Sequence, residues 1–145
     1  MEEKNICSEV RILANLLRRK TANFSELEEI GKITGGHGYI LCFLSENKDK
    51  EVYQRDIEKR FKIRRSTVTS TLNRMEKNGV IERKSVVKDS RLKQIILTEK
   101  GINLFKDFKV KADEVESKIS TALTDEESQT FLKLIKKLQK RVEEE

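Results

Sequence analysis

The feature that most constrains the fold is a change in the spacing of apolar residues near the middle of the chain. Up to Asn78, apolar residues recur every three or four positions, which is the spacing of amphipathic helices. Two short runs rich in β-branched residues follow, at 80–87 and 94–98, and they flank the polar segment 88–91. This arrangement predicts a β-hairpin with its turn at 88–91. The helical spacing then returns, so the chain is predicted to be mainly α with a small β-hairpin.

Helices with short connections are predicted on both sides of the hairpin, six in all, with the hairpin between the fourth and the fifth. A long helix over 4–30 is predicted to end at Gly31 as its C-cap glycine. The glycine-rich turn at 34–38 is predicted to lead into a short buried helix over 39–45. The other predicted helices cover 53–61, 65–78, 99–121 and a last segment that begins at the capping box of Thr124 and Glu127.

Positive charge is concentrated in the central part of the chain. Residues 51–100 contain 14 Lys and Arg against 7 Asp and Glu, a local charge of +7, although the net charge of the whole chain is only +6. A basic block between near-neutral flanks favours a module that binds a polyanion. The alternative explanation is a lysine-rich surface that is merely solvated.

The two helices predicted over 53–78 are separated by a short turn, and the second resembles the recognition helix of a helix-turn-helix. Its apolar residues Val68, Leu72 and Met75 are predicted to face inward. Its other side carries hydroxyl, amide and arginine side chains, the groups that distinguish base edges in the major groove. The alternative is an ordinary amphipathic helix with a solvated face. The residues of this helix predicted to contact DNA are Arg64, Arg65, Ser66, Thr67, Thr69, Ser70, Asn73 and Arg74.

The tip of the predicted hairpin is basic as well. A basic tip beside a helix-turn-helix can reach the neighbouring minor groove, where an arginine gains from the negative potential of narrow A·T-rich stretches. Asp89 is predicted to accept hydrogen bonds from the backbone of the tip or from Arg91, and so to orient that arginine. Alternatively, Asp89 and Ser90 simply form the turn. The residues of the hairpin predicted to contact DNA are Lys88, Asp89, Arg91 and Lys93.

Several segments resemble the MarR family of transcription regulators. Residues 89–91 (Asp-Ser-Arg) and 97–101 (Leu-Thr-Glu-Lys-Gly) are similar to the wing signature of that family. Residues 66–69 and 75–83 resemble its recognition helix and the exit from that helix into the first wing strand. The order of the predicted elements also matches across essentially the whole chain.

The resemblance implies a single MarR-like domain over 1–145. Within it, 34–101 would be the winged helix-turn-helix part, and 1–33 and 102–145 the dimerisation helices of an obligate homodimer. It also implies that Arg91 enters the minor groove. The apolar stripes at both ends of the chain independently favour pairing of two subunits, and packing within one subunit is the alternative. A two-fold dimer predicts a palindromic site with half-sites about one helical turn, roughly 10 bp, apart.

These observations predict a sequence-specific double-stranded DNA-binding transcription regulator, and more narrowly a repressor. Two alternatives share the fold: a sequence-tolerant architectural DNA-binding protein and a winged-helix module for protein contact. Enzymatic activity, a metal and a cofactor are not expected, because the chain has no recognisable nucleophile–base pair or metal-ligand cluster. It also lacks an apolar signal segment and any run long enough to span a membrane, so it is predicted to be cytoplasmic.

Relatives in the family release DNA on binding a small aromatic anion or on thiol oxidation, so the resemblance implies a small-molecule effector. Cys7 is the candidate redox residue; no lysine or histidine is evidently set to activate its thiol, although Lys4 and Arg11 can approach it on the same helix face. The first helix lacks the tyrosines that peroxide-sensing relatives place near such a thiol. His37, the only histidine, is predicted to cap or face solvent in the glycine-rich turn, or to line a ligand cleft. Cys42 is predicted to lie in the core.

Overall fold

The computed structural model describes residues 5–22 and 25–144, which form seven helices and one two-stranded antiparallel sheet. The hairpin lies between the fifth and sixth helices, and the predicted mainly helical fold with one small wing is confirmed. In chain order the elements are α1 (Ile6–Ala22), α2 (Ser25–Thr34), α3 (Tyr39–Glu46), α4 (Gln54–Phe61), α5 (Arg65–Lys77), β1 (Ile81–Val86), β2 (Asp89–Leu97), α6 (Glu99–Ser120) and α7 (Asp125–Glu143).

The prediction of one helix over 4–30 that ends at Gly31 was wrong. The segment is divided between α1 and α2, and Gly31 lies inside α2. The helix instead ends after Thr34, where Gly35 and Gly36 have φ angles of 61° and 85°. The backbone N–H of Gly36 donates to the carbonyl of Gly31 at 3.1 Å, which is the bond that closes a glycine-terminated helix. A glycine can sit inside a helix, so the first glycine of a series does not by itself mark the helix end.

The chain divides into two compact units, Met1–Lys111 and Ala112–Glu145. The first unit holds a hydrophobic core to which α2 to α5, the sheet and the segment before α4 contribute. The second unit holds the end of α6 and the whole of α7. The buried residues of the core are Ile30, Ile33, Ile40, Leu41, Leu44, Val52, Ile57, Val68, Leu72, Met75, Val80, Ile81 and Ile95.

The start of α7 is set by the capping box predicted from the sequence. The backbone N–H of Glu127 donates to Oγ1 of Thr124 at 3.1 Å, and the N–H of Thr124 donates to Oε2 of Glu127 at 2.9 Å. Two of the N–H groups at the start of the helix region are thereby satisfied. The predicted capping box is confirmed.

The helix-turn-helix consists of α4, a tight turn and α5. Asp56 accepts a hydrogen bond from the backbone N–H of Tyr53 at 2.8 Å, which anchors the start of α4. Lys62, with a φ of 53°, ends α4 in the left-handed conformation, so that α5 begins only three residues later. Val68, Leu72 and Met75 on the inner side of α5 are fully buried, as predicted.

The wing is the β1–β2 hairpin, and its turn differs from the predicted one at 88–91. Val86 pairs with Asp89, so the turn consists of Val87 and Lys88. Ser85 pairs with Lys93, which leaves the intervening residues 90–92 of β2 as a bulge. Polar residues at the exposed end of a hairpin have the composition of a turn, and for this reason the sequence placed the turn two residues too late.

The junction between the wing and α6 explains why the Leu-Thr-x-x-Gly motif has the residues it has. The Thr98 hydroxyl donates to the carbonyl of Gly79 at 2.5 Å and accepts from the N–H of Gly101 at 3.1 Å, so Thr98 caps α6 and ties it to the end of α5. Gly101 is buried, and a Cβ built there would lie 2.2 Å from the carbonyl oxygen of Val80. The close approach of α6 to the chain entering β1 therefore requires glycine at position 101.

Gly101→Ala is expected to lower the free energy of unfolding by about 1–3 kcal/mol, because the added methyl group meets backbone that cannot move without disturbing β1. Gly31→Ala is the matched control: an added Cβ at this position in α2 meets nothing within 4 Å. This control is expected to be neutral or to stabilise by up to about 1 kcal/mol, since alanine favours the helix. Urea unfolding followed by circular dichroism measures both variants, and equal stabilities would contradict the close-approach argument.

Candidate nucleic-acid interface

The outer face of α5 presents most of the side chains that the sequence assigned to DNA contact. Of the eight predicted residues, all but the half-buried Thr67 are exposed. The members of this set that share one shallow surface are Arg65, Ser66, Thr69, Ser70 and Asn73. Residues three and four apart lie on one side of a helix, so this surface follows directly from the burial of Val68 and Leu72 on the other side.

The N-terminal end of α5 is open toward the same side. Arg64 is the N-cap residue, and its carbonyl accepts from the N–H groups of Thr67 and Val68, each at 3.1 Å. Its side chain makes no capping bond, so it does not occupy the N–H groups of the first turn. The positive end of the helix dipole and the guanidinium groups of Arg64 and Arg65 together make this end favourable for a phosphate.

All four predicted wing residues, Lys88, Asp89, Arg91 and Lys93, are exposed. The carboxylate of Asp89 accepts from the backbone N–H of Arg91 at 2.9 Å, which is one of the two acceptor roles predicted for it. The Lys93 ammonium donates to the hydroxyl of Ser85 across the strand pair at 3.3 Å. Val87, an apolar residue that the sequence reading did not single out, is completely exposed at the tip.

A recess of about 480 Å³ lies between the helix-turn-helix and the wing, and we call it the cationic recess. Glu58 is its only carboxylate among the residues that the structure describes. Its positively charged side chains are Arg55, Arg65, Arg83, Arg91 and Lys93. Five cations against one carboxylate give this concave surface a positive potential that attracts anions.

Arg83 in the cationic recess is a residue that sequence reasoning missed. One of its terminal nitrogens, Nη2, is buried and has no hydrogen-bond partner in the described part of the chain. Its Nε lies 3.9 Å from a carboxylate oxygen of Glu76. The sequence did contain a signal for Arg83, because side chains alternate between the two faces of a strand. Arg83 is two residues from the buried Ile81 and therefore faces the same side of the wing.

A second missed residue is Gln54, the first residue of α4. Its side-chain amide nitrogen donates to the hydroxyl oxygen of Thr69 at 2.8 Å. The contact joins residues fifteen positions apart, so no local pattern of the sequence shows it. It links the two helices of the helix-turn-helix at the surface rather than through the core.

His37 lies in the turn between α2 and α3, as predicted, beside the recognition helix. It lines a recess of about 290 Å³ together with Gly35, Ser66, Thr67, Ser70, Thr71 and Arg74. Its Nδ1 is 2.6 Å from the hydroxyl oxygen of Tyr39. Burial, and secondarily the positive charge of Arg74, lower the pKa of His37 below its ordinary value.

His37→Gln is expected to make folding stability less sensitive to acid. Because the pKa of His37 is lowered in the folded state, the unfolded chain takes up its proton first as the pH falls below about 6.5. This loss of folding stability is absent above about pH 6.5 and is complete below the pKa of His37 in the folded state. Urea unfolding near neutral pH and again about two pH units lower should therefore show a smaller loss for the variant than for the unmodified protein. Equal losses of stability in the two proteins would show that protonation of His37 is not linked to folding.

The two cysteines occupy different environments. Cys7 is exposed in the first turn of α1, and Arg11, one turn further on, is also exposed. Lys4, which was predicted to approach the same thiol, lies outside the described residues. Cys42 is only partly buried on α3, although the sequence placed it in the core. Its helix packs one face against the core, and Cys42 lies at the edge of that face, next to the fully buried Leu41.

In residues 5–22 and 25–144, no three or more histidine, cysteine or acidic side chains come together in a way that suits a metal ion. None of the helices in the same segments has the length and apolarity needed to cross a membrane.

A recognition helix with a free polar outer face, a short helix packed behind it and a basic two-stranded wing define a winged helix-turn-helix protein. The sequence profile of the MarR family matches residues 32–92, from the last three residues of α2 to the wing. The chain is 32% identical to the transcription regulator MarR from Oenococcus oeni PSU-1, covering 94% of this chain and 99% of that one, with a TM-score of 0.78.

Two other comparisons agree. The structure of S. aureus MepR in complex with DNA superposes with a TM-score of 0.85 at 27% identity, covering 96% of this chain and 99% of that one. The HTH-type transcriptional regulator BilQ of Clostridioides difficile (strain CD3) is 28% identical over 117 residues, which are 79% of this chain and 78% of that protein. The chain belongs to the MarR family of DNA-binding transcription regulators, and it is not an enzyme.

Proposed function

We propose that this MarR-family regulator is a repressor that binds a palindromic operator in double-stranded DNA as a homodimer. The observation that carries the proposal is the outer face of α5, where Ser66, Thr69, Ser70 and Asn73 are exposed. Short hydroxyl and amide side chains on a helix that fits the major groove are the groups that distinguish base edges. The similar MepR protein, whose structure contains DNA, supports DNA as the partner.

The wing and the cationic recess are proposed to hold the DNA backbone and the adjacent minor groove. Arg91 lies in the bulge near the exposed end of β2, and its backbone N–H is bonded to the Asp89 carboxylate, which fixes the backbone from which its side chain extends. In the minor groove such an arginine reads groove width rather than a base pattern. Arg83 and Lys93, which also line the recess, are proposed to meet the phosphates between the two grooves.

The proposal of a homodimer rests on apolar side chains that one protomer leaves exposed. α7 has no buried residue, and α1 exposes the apolar residues of its first three turns, from Ile6 to Leu16. Monomeric proteins rarely present such continuous apolar faces to water. We therefore propose that 1–33 and 102–145 form the dimerisation part and 34–101 the DNA-binding part. The exposed apolar residues in the two terminal regions include Ile6, Val10, Ile12, Leu13, Leu16, Val110, Ile119, Phe131, Leu132, Leu134, Leu138 and Val142.

The experiment that tests the proposal measures DNA binding by fluorescence anisotropy. The purified protein is titrated against a labelled duplex taken from upstream of its own gene and against a scrambled duplex of the same composition. Each titration is repeated at two salt concentrations, because binding through phosphates alone weakens steeply with salt and shows little preference between sequences. A sequence-specific dimer is expected to bind only the native duplex tightly and to saturate at one dimer per site.

The other outcomes separate the competing functions. Equal binding to both duplexes that collapses with salt would identify a sequence-tolerant architectural protein. No binding at moderate salt would identify a winged-helix module for protein contact. Repression itself is tested by transcription in vitro from the same upstream DNA, where the proposal expects fewer transcripts as the operator fills.

Release of the operator by a small ligand or by thiol oxidation is the regulatory part of the proposal. Cys7 is exposed, so an oxidant in solution reaches it, and His37 lines a recess directly beside the recognition helix. Hydrogen peroxide and small aromatic carboxylates are added separately to the protein–operator complex. Release by peroxide that is abolished in Cys7→Ser but retained in Cys42→Ser would assign the thiol, and release by a carboxylate in both variants would assign a ligand.

A further inference from the structure

The side-chain amide of Gln54 has an orientation that its neighbours determine. Its Nε2 lies 2.8 Å from Oγ1 of Thr69 and 3.4 Å from the backbone carbonyl oxygen of Arg65. A carbonyl oxygen only accepts hydrogen bonds, so the amide must turn its NH₂ group, not its oxygen, toward this pair. The two hydrogens of that group then serve the two acceptors. Thr69 therefore receives a hydrogen bond from Gln54 rather than donating one to it.

The hydroxyl hydrogen of Thr69 is consequently available. A threonine in a helix often donates to the carbonyl four residues earlier. Thr34 does so to Ile30 at 2.7 Å, and Thr121 does so to Ser117 at 2.8 Å. Thr69 makes no such bond to any group in the described segments, and the carbonyl four residues before it faces the amide of Gln54. Its hydrogen is left for a partner outside the protein.

We propose that Gln54 is a positioning residue that makes Thr69 a hydrogen-bond donor toward the major groove. The inference rests on the proposed function, because it assumes that the outer face of α5 meets base edges. A donor at Thr69 selects an acceptor on the base: purine N7, guanine O6 or thymine O4. It favours these acceptors over the amino groups of adenine and cytosine, which can only donate and would have to share the hydroxyl oxygen with Gln54. One base pair of each half-site would thus be read by Thr69 and set by Gln54, a residue outside the recognition helix.

The exposure of the two side chains fits this division of roles. Thr69 is exposed on the shallow surface that it shares with Ser66, Ser70 and Asn73. Gln54 is only partly exposed, and it lines the cationic recess. Gln54 is therefore placed to influence the choice of base through its hydrogen bond to Thr69.

The test compares base preferences among four single variants, and the double variant that combines Gln54→Met with Thr69→Val, on a panel of operator duplexes. Each duplex carries one base-pair change in both half-sites of the operator found by anisotropy. Gln54→Met keeps the length of the side chain and removes its hydrogen bonds, whereas Gln54→Glu replaces the donor by an acceptor. Thr69→Val keeps the shape of threonine and removes the hydroxyl. Gln129→Met, on the exposed surface of α7, is the matched control for a glutamine-to-methionine change.

Thr69→Val is expected to lose a roughly tenfold preference at one base-pair position, since one good base contact contributes about that much discrimination. Gln54→Met should lose the preference at the same position, and the double variant should lose no more than either single one. In Gln54→Glu an oxygen replaces the NH₂ group, and two oxygens that only accept cannot share the position beside the Arg65 carbonyl, so the contact with Thr69 is lost. The preference at that position should then be lost as in Gln54→Met. Gln129→Met should retain the profile of the unmodified protein.

Ratios between duplexes are compared, so a general loss of affinity does not imitate the expected result. A Gln54→Met profile identical to that of the unmodified protein, while Thr69→Val changes its profile, would overturn the inference and leave the proposed function standing. An equal loss on every duplex would also overturn it, because Gln54 would then act only on backbone contact. If the unmodified protein itself showed no base preference, the proposed function would fall together with the inference.

Discussion

Leu134→Glu is expected to convert the homodimer into folded monomers at micromolar concentration. The side chain lies in the apolar stripe of α7 and is 51% exposed in the protomer, so the monomer itself loses little by the change. In the proposed dimer the same substitution occurs twice, and because about half of the side chain is already covered in the protomer, each occurrence removes about 0.8–1.5 kcal/mol of apolar burial. Each introduced carboxylate must also leave water without a partner. The dissociation constant of the dimer should rise by about 100-fold or more.

Analytical ultracentrifugation measures the change, and circular dichroism confirms that the helices persist. Lys133→Glu is the matched control, because Lys133 is two residues from Phe131 and therefore lies on the opposite side of α7, where it is exposed. The control is expected to sediment as the unmodified protein does. Operator affinity should fall with dimerisation in Leu134→Glu, since a monomer occupies only one half-site. A dimer that forms as strongly in Leu134→Glu as in Lys133→Glu would show that the stripe of α7 is not the interface.

Arg91→Ala is expected to weaken operator binding at least about 30-fold while the dimer stays intact. A specific groove contact contributes about 1–3 kcal/mol, and a dimer has two wings, so both contacts are lost together. The fold should not suffer, because the side chain is exposed and the bond to Asp89 is made by the backbone N–H of Arg91, which alanine retains. Anisotropy on the native duplex gives the affinity, and ultracentrifugation gives the oligomeric state.

Lys106→Ala is the control for the loss of one positive charge. Lys106 is exposed on α6, outside both the recognition helix and the wing. Its replacement should change operator affinity by no more than a few-fold, through the general electrostatic attraction of the protein for DNA. If Arg91→Ala bound the operator as tightly as Lys106→Ala does, the wing would have no part in recognition.

Much of the fold could be predicted because it depends on short-range patterns. The burial of Val68, Leu72 and Met75 follows from helical spacing, and the capping box of α7 needs only residues three positions apart. Composition was a weaker guide at the ends of elements. It assigned the first helix end to Gly31 rather than to the glycine pair that follows, and it placed the turn of the wing two residues late.

The residues of the candidate interface also differ in how far the sequence alone could predict them. The outward set on α5 was predictable, since the burial of one face of a helix determines what the other face presents. Arg83 was visible in principle from the alternation of β1, but its buried nitrogen, which has no partner among the described residues, was not. Whether the Thr69 hydroxyl donates or accepts a hydrogen bond outward depends on its contact with Gln54. The exposure of Thr69 alone does not show which.

The sequence by itself determined the order of the elements, the inward and outward faces of the recognition helix and the basic character of the wing. These depend on each residue and its near neighbours along the chain. Only the tertiary structure decided that α6 approaches Val80 so closely that Gly101 must lack a side chain, and that Gln54 meets Thr69. It also decided that His37 stands beside Arg74. Such contacts join residues far apart in the chain, and they exist only once packing of the core has brought the elements to their final distances.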